Sequence, residues 1–562
     1  MDKTPSTDKK RVILLGLDGA TFDLFGPWMD KGYLPNMKRI RDEGVWGTLD
    51  STIPCTTPVA WSAVFTGKNP GKHGIFDFRE SFHFDPRRPL ISCKSIRAAR
   101  IWHILNQEGK ITNVMNVPMT FPPEKLEGFM IGGMMTPSEE SDFTYPRELK
   151  GELLGKFPNY RVDIDIPKYD PTFIEDCFVF LDDIKSSFIT RRDAFFYLMD
   201  NKPWDFFFTV FILSDRIQHV LWKFFDPNFP EFYNSKKGRR LWDRILQCYQ
   251  LQDEMLGMLL DKLDDNTYLF INSDHGFGGT EAYINVNTLL EEWGLLKTTK
   301  SESLQKRLFF KAWEFGDTPF AKKVIPKGIQ RAIRNRIRQT RSSFKSEIEA
   351  QIDYSTSKAL FASIPAQGVF INVKREDGTG VVEPGNEYDE LRAFIKEKLY
   401  EVKDPDTGEV VMDKVFYREE LYHGPSTKYA PDVVFIAKNY AFLGRQHIGS
   451  PKPVTSWRDQ PTGFHRPNGI FMAYGKNIKK GFQLPKAEMW DLAPTILYSF
   501  GLGVPEDMDG KPLTDCFEPG FVAANPVKTV DASKYEGIYE EVYSEEETEA
   551  IKERLKGLGY IE

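Results

Sequence analysis

The sequence has no apolar run long enough to cross a membrane. Its longest obvious one, FFFTVFIL at 206–213, falls far short of the about 18 residues a spanning helix needs. Cysteine is scarce: Cys55, Cys93, Cys177, Cys248 and Cys516 are odd in number, widely spaced and without a CxxC pair. That excludes a disulfide framework and a thiolate zinc site, and it fits a reducing compartment. The start, MDKTPSTDKKRVILLGLDG, lacks the apolar stretch and small-residue cleavage site of a signal peptide, so a cytoplasmic location is expected. Excess basic charge is also missing. With 74 Lys plus Arg against 81 Asp plus Glu the net charge is −7, and no nucleic acid is expected as a partner.

What is present is ample material for a core: 41% hydrophobic and 14% aromatic residues in a chain of 562. At roughly 150 residues per domain this is several domains' worth, or one large α/β body with insertions. Three mostly aliphatic or aromatic runs, RVILLGL at 11–17, WDFFFTVFIL at 204–213 and TYLFIN at 267–272, read as strands buried on both faces of a parallel sheet. Each ends near an aspartate: Asp18, Asp215 and Asp274. Ligands of open α/β sheets bind at such carboxyl ends, so three acidic residues there point to a site.

Histidines stand beside two of them. Asp215 and His219 are four apart, and on a short helix they would share a face and could ligate one metal. His275 follows Asp274 directly, in a loop, and His465 sits in the Gly- and Pro-containing loop TGFHRP. Gly276, Gly278 and Gly279 read as tight turns rather than a cofactor box. Thr56 and Thr57 precede an apolar helical stretch, where unpaired backbone N–H groups favour a phosphate. A threonine hydroxyl needs a metal or base to become nucleophilic, and Asp, His and Thr ligands around two ions supply that.

Five segments, LGLDGA at 15–20, TTPVAWSAVFTGKNPGKHGIFDF at 56–78, SDRIQH at 214–219, SDHGFG at 273–278 and TGFHRPNGIF at 462–471, together resemble the alkaline phosphatase superfamily. Their order and spacing are similar to its type I phosphodiesterase/nucleotide pyrophosphatase branch, including phosphohydrolase and phosphomutase members. The resemblance implies an α/β fold with a central, mostly parallel sheet flanked by helices and carrying lid insertions. It implies one metal on Asp215, His219 and His465, and a second on Asp18, Asp274, His275 and the nucleophilic threonine. Either Zn or Mn suits such ligands. Thr57 is the preferred nucleophile by ungapped match. Thr56 is the alternative, because Pro58 stands two residues after it.

The implied chemistry is in-line attack by the threonine on phosphorus, giving a phosphothreonine that water hydrolyses. The expected substrate is a phosphoric ester, with diester cleavage favoured over monoester. Transfer to another hydroxyl would make a phosphomutase instead. A catalytically silent lipid- or partner-binding protein on the same fold is the remaining alternative, opposed by the presence of all seven ligands. A sulfatase is excluded, because Thr57 and Val59 occupy the Pro and Arg positions of the signature that Cys55 would begin. Nucleotide pyrophosphatase relatives carry an asparagine three residues after the nucleophile, where this chain has Ala60 or Val59. Phosphate contact is then expected from the helix N-terminus or from Lys68, Arg216 or Arg466.

The expected organisation is a catalytic core in three parts, 1–137, 201–297 and 401–520. A lid insertion at 138–200, a basic and aromatic-containing insertion at 298–400 and an acidic extension at 521–562 complete it. Within the second insertion, 300–345 carries thirteen Lys or Arg against three acidic residues. That segment reads as a solvated face, as a basic amphipathic pair that meets anionic membrane or guides a polyanionic substrate, or as a local nucleic-acid patch.

Overall fold

A computed structural model describes residues 9–80, 84, 88–164, 166, 169–299, 352–361, 363–458, 460–534 and 545–557. The basic stretch 300–345 lies outside the described residues.

The three apolar runs form neighbouring strands. β1 (Arg11–Leu17) runs parallel to β6 (Phe206–Phe211) on one side and to β7 (Thr267–Asn272) on the other. Apart from half-buried Arg11, every residue of the three is buried, which is why each reads as a continuous apolar run rather than an alternation. β3 (Thr112–Val117) and β4 (Gly128–Gly132) extend the parallel set beyond β6. Antiparallel Asn468–Tyr474 lies outside β7, followed by β2 (Val45–Asp50), and the short β5 (Thr144–Tyr145) closes the far edge. Among the described residues the sheet has ten strands, with helices over its faces, as expected for an alkaline-phosphatase-like core.

A second, seven-stranded sheet has its own apolar core. It draws Ala282–Asn285, Ala359–Phe361 and Gly368–Ile371 together with strands between Met412 and Ser456. Stretches assigned above to the basic insertion and to the third part of the core therefore share one sheet. Within 138–200 the main feature is a 28-residue helix, Ile174–Asn201, whose Phe188 and Phe195 pack on Phe211 of β6.

Two expected loops are strands instead. β8 (Gly276–Gly279) pairs antiparallel with Gly463–Arg466, opposing Phe277 to His465. Both strands are buried almost throughout, so no period-two alternation marks them, and their glycines and the flanking proline read as turn residues. The pairing brings the chain after β7 alongside the segment that carries His465. No described helix is long and apolar enough to cross a membrane.

Candidate metal centre

The site lies at the carboxyl ends of β1, β6 and β7. Asp18 follows β1 directly, Asp274 stands two residues beyond β7, and Asp215 sits in the first turn of the helix Leu213–Leu221 that follows β6. His219 is one turn further along that helix, with its Nε2 3.2 Å from Asp215 Oδ1. His465 Nε2 lies 3.1 Å from His219 Nε2 and 3.6 Å from Asp215 Oδ1. His275 Nε2 lies 3.2 Å from Asp274 Oδ2, 3.7 Å from Asp18 Oδ1 and 3.9 Å from Asp215 Oδ1. Its ring stacks on that of His465 at 3.4 Å. All six side chains are buried. Two sets bring candidate ligand atoms within 4.8 Å of one another: Asp215 with His275 and His465, and Asp18 with Asp274 and His275.

Local backbone groups set the imidazole tautomers. His275 Nδ1 lies 3.0 Å from the Gly276 carbonyl and His465 Nδ1 lies 2.8 Å from the Cys55 carbonyl, so each donates there and turns an unprotonated Nε2 inward. Across from these lone pairs, Asp18 Oδ1, Asp215 Oδ1 and Asp274 Oδ2 have no hydrogen-bond partner among the described residues. Buried polar atoms are ordinarily paired, and lone pairs facing lone pairs repel. A divalent cation relieves both defects, and carboxylate with imidazole is an ordinary donor set for Zn or Mn. The residues fit two ions.

The charges agree. Burial, then the neighbouring Asp215, pushes the Asp18 carboxyl up to about 8. Burial, then Asp18 and Asp215, raises Asp274 well above its ordinary value. Burial acts upward on Asp215 too, but His219 and Arg216 outweigh it and hold that carboxyl well below the ordinary range. Burial lowers His465 to about 4 and, with His465 beside it, drops His275 well below its usual value.

Thr57 opens the helix Thr57–Thr66, with Thr56 as its extended N-cap and Pro58 in the first turn, where a missing N–H costs nothing. Thr57 Oγ1 is 3.5 Å from His275 Nε2. Thr56 Oγ1 is buried, has no hydrogen-bond partner among the described residues, and does not cap the helix. From the next turn, Trp61 Nε1 donates to Asp18 Oδ2 at 3.2 Å.

Two glycines make room. A Cβ on Gly16 would lie 2.3 Å from the Trp61 ring. Gly19 takes φ +71°, donates its N–H to Asp274 Oδ1 at 3.2 Å, and would carry a Cβ 3.1 Å from Asp215 Cα.

The three basic residues expected at phosphate engage protein groups. Lys68 pairs with Asp507. Arg466 donates to the carbonyls of Gly279, Tyr440, Phe464 and His465. Arg216 is buried between Asp163 and Asp215. Sequence reasoning missed Trp61, Asp163 and the carbonyls of Cys55 and Gly276. Only Gly16, a glycine inside a strand two residues before Asp18, hinted at one of them.

The family model for type I phosphodiesterase / nucleotide pyrophosphatase matches residues 12–464. The chain belongs to that family. As a type I phosphodiesterase/nucleotide pyrophosphatase family member it carries the five segments singled out above, and its Asp/His cluster is a candidate binuclear metal site.

Among solved structures, murine ectonucleotide pyrophosphatase / phosphodiesterase 5, as an inactive variant with AMP, is 13% identical, with 91% of this chain and 100% of that one covered at a TM-score of 0.49. The human protein of that name is 14% identical over 91% and 100%, with a TM-score of 0.48. Phosphonoacetate hydrolase from Sinorhizobium meliloti 1021, with phosphonoformate, is 15% identical over 88% and 95%, with a TM-score of 0.49. No curated protein matches the sequence.

Proposed function

We propose that this protein is a two-metal phosphoric-ester hydrolase that works through a phosphothreonine on Thr57, with phosphodiesters favoured over monoesters. The observation that carries this reading is the 3.5 Å approach of Thr57 Oγ1 to His275 Nε2, inside a cluster where one oxygen of each of Asp18, Asp215 and Asp274 has no hydrogen-bond partner among the described residues. Asp215, His219 and His465 would hold one ion, and Asp18, Asp274, His275 and Thr57 the other. Bound divalent ions supply Lewis acidity, which lowers the pKa of a coordinated hydroxyl and neutralises charge on phosphoryl oxygens.

The chain's own groups do the rest. The Gly276 and Cys55 carbonyls hold the imidazole tautomers, and Trp61 fixes Asp18. Thr57 Oγ attacks phosphorus in line and the bond to the leaving-group oxygen breaks. The start of the helix Thr57–Thr66 presents its N–H groups to the negative charge that develops. Water then cleaves the Thr57–phosphorus linkage, which after a diester still carries its second ester group, releasing the phosphomonoester and restoring the hydroxyl. Side chains at Val59 and Ala60 offer no donor, so these backbone groups carry more of the phosphate contact than in relatives with an asparagine there.

The test is turnover of bis-p-nitrophenyl phosphate and p-nitrophenyl phosphate by wild type and Thr57→Ala after loading with Zn²⁺ or Mn²⁺. Diester turnover lost in the variant is expected. Undiminished turnover by Thr57→Ala would overturn the assignment. A cytoplasmic location is proposed as well, supported by five buried, unpaired cysteines, with 300–345 as a peripheral contact for anionic lipid.

A further inference from the structure

Asp163 belongs to the 138–200 stretch, far in sequence from the metal-binding segments, yet its carboxylate reaches the site. Arg216 Nε donates to Asp163 Oδ1 at 3.0 Å and Arg216 Nη2 to Asp163 Oδ2 at 2.8 Å, a bidentate pair. The remaining arm, Arg216 Nη1, donates to Asp215 Oδ2. Both side chains of the Asp163–Arg216 pair are 1% exposed.

The loop that carries Asp163 has its own anchors. Arg191 Nη2, from the long helix Ile174–Asn201, donates to the carbonyls of Arg161 at 3.2 Å and Val162 at 2.5 Å, and the Val162 N–H donates to Glu139 Oε1 at 2.8 Å. Burial acts upward on the Asp163 carboxyl, but Arg216, together with Arg554, outweighs it and keeps the group below its ordinary value, hence ionised.

We propose that Asp163 is a positioning residue for the metal ligand Asp215, acting through Arg216. The inference rests on the two-metal reading above. Arg216 fastens Asp215 Oδ2, so Oδ1 alone is turned toward the Nε2 atoms of His219, His275 and His465. Left alone, that guanidinium would place a buried positive charge beside a cation site and weaken it. Asp163 cancels the charge and fixes the guanidinium plane with two bonds. Partners of this kind hold ligands in place, and their loss lowers metal affinity about 10- to 100-fold. A pair that served stability alone would leave metal affinity untouched.

The experiment is calorimetric titration of metal-free protein with Zn²⁺ or Mn²⁺ alone, for wild type, Asp163→Asn, and Asp163→Asn combined with Arg216→Gln. Wild type should take up two ions. Asp163→Asn should bind one as wild type does and the other about 10- to 100-fold more weakly. The double variant, which has no unpaired buried charge, should regain part of that loss without reaching wild type.

Wild-type affinity for both ions in Asp163→Asn overturns the proposal while leaving the two-metal reading intact. Should Asp163→Asn fail to fold, the double variant decides: full wild-type affinity overturns the proposal, and a weakened second ion supports it. A wild type that binds no ion overturns the two-metal reading, and this inference with it.

Discussion

Replacing Gly16 by alanine perturbs the centre without touching a ligand. The new Cβ would stand 2.3 Å from Trp61 Cη2 and 2.8 Å from Val210 Cγ2. Trp61 is fully buried and its ring lies against Phe208, so the indole has nowhere free to go. Restoring ordinary van der Waals contact requires movement of more than about 1 Å. Overpacking of this kind costs about 1–3 kcal/mol. The same movement pulls Trp61 Nε1 off Asp18 Oδ2, now 3.2 Å away. A hydrogen bond to a charged group contributes about 1.5–3 kcal/mol, and loss of such a partner weakens metal binding about 10- to 100-fold.

Urea unfolding and competition with a chromophoric chelator read the two losses separately. Adding Trp61→Phe to Gly16→Ala removes the crowding ring atoms and the indole N–H together. The double variant should therefore recover part of the stability and none of the metal affinity. Wild-type behaviour of Gly16→Ala in both assays, or restored metal affinity in the double variant, would refute the reasoning.

Chelated protein should lose stability as pH rises from 7 to 8. Asp18, raised to about 8, keeps in the folded state a proton that the unfolded chain has already released, so folding is progressively penalised up to that pH. Asp18 alone costs about 1 kcal/mol over that unit. His275 and His465, both lowered, act in the opposite sense, but most of their effect lies below pH 7, because unfolded histidine, at about 6.5, has lost most of its proton by then. Urea unfolding in EDTA at pH 7.0, 7.5 and 8.0 checks this, and a stability that rises with pH contradicts it. A second test concerns the thiols. All five are buried, and burial pushes Cys55, Cys248 and Cys516 up to about 12. Ellman's reagent should modify none in the native protein and five in urea, and rapid native labelling of any of them contradicts the packing.

The centre of the fold was legible because β1, β6 and β7 are buried on both faces, which writes each as an unbroken apolar run ending near an aspartate. Asp215 and His219 were legible as a pair because one helical turn separates them. The hairpin of β8 with Gly463–Arg466 was not, since glycine-rich strands carry little burial alternation. Backbone carbonyls that set tautomers, such as those of Cys55 and Gly276, leave no mark on side-chain identity. Lys68, Arg216 and Arg466 suggested phosphate from charge and position alone. Their partners Asp507 and Asp163, and the Tyr440 and Gly279 carbonyls, come from remote segments that only tertiary structure brings near.

The most direct test is chemical capture of the intermediate. Metal-loaded enzyme is mixed with excess bis-p-nitrophenyl phosphate, quenched in acid within milliseconds and digested with trypsin, and the peptide spanning 42–68 is sequenced by fragmentation mass spectrometry. A p-nitrophenylphosphoryl group on Thr57 is expected, one nitrophenolate having left, and it should be absent from Thr57→Ala and from chelated protein. Phosphorylation of Thr56 instead, or turnover with no modified threonine in that peptide, contradicts that expectation.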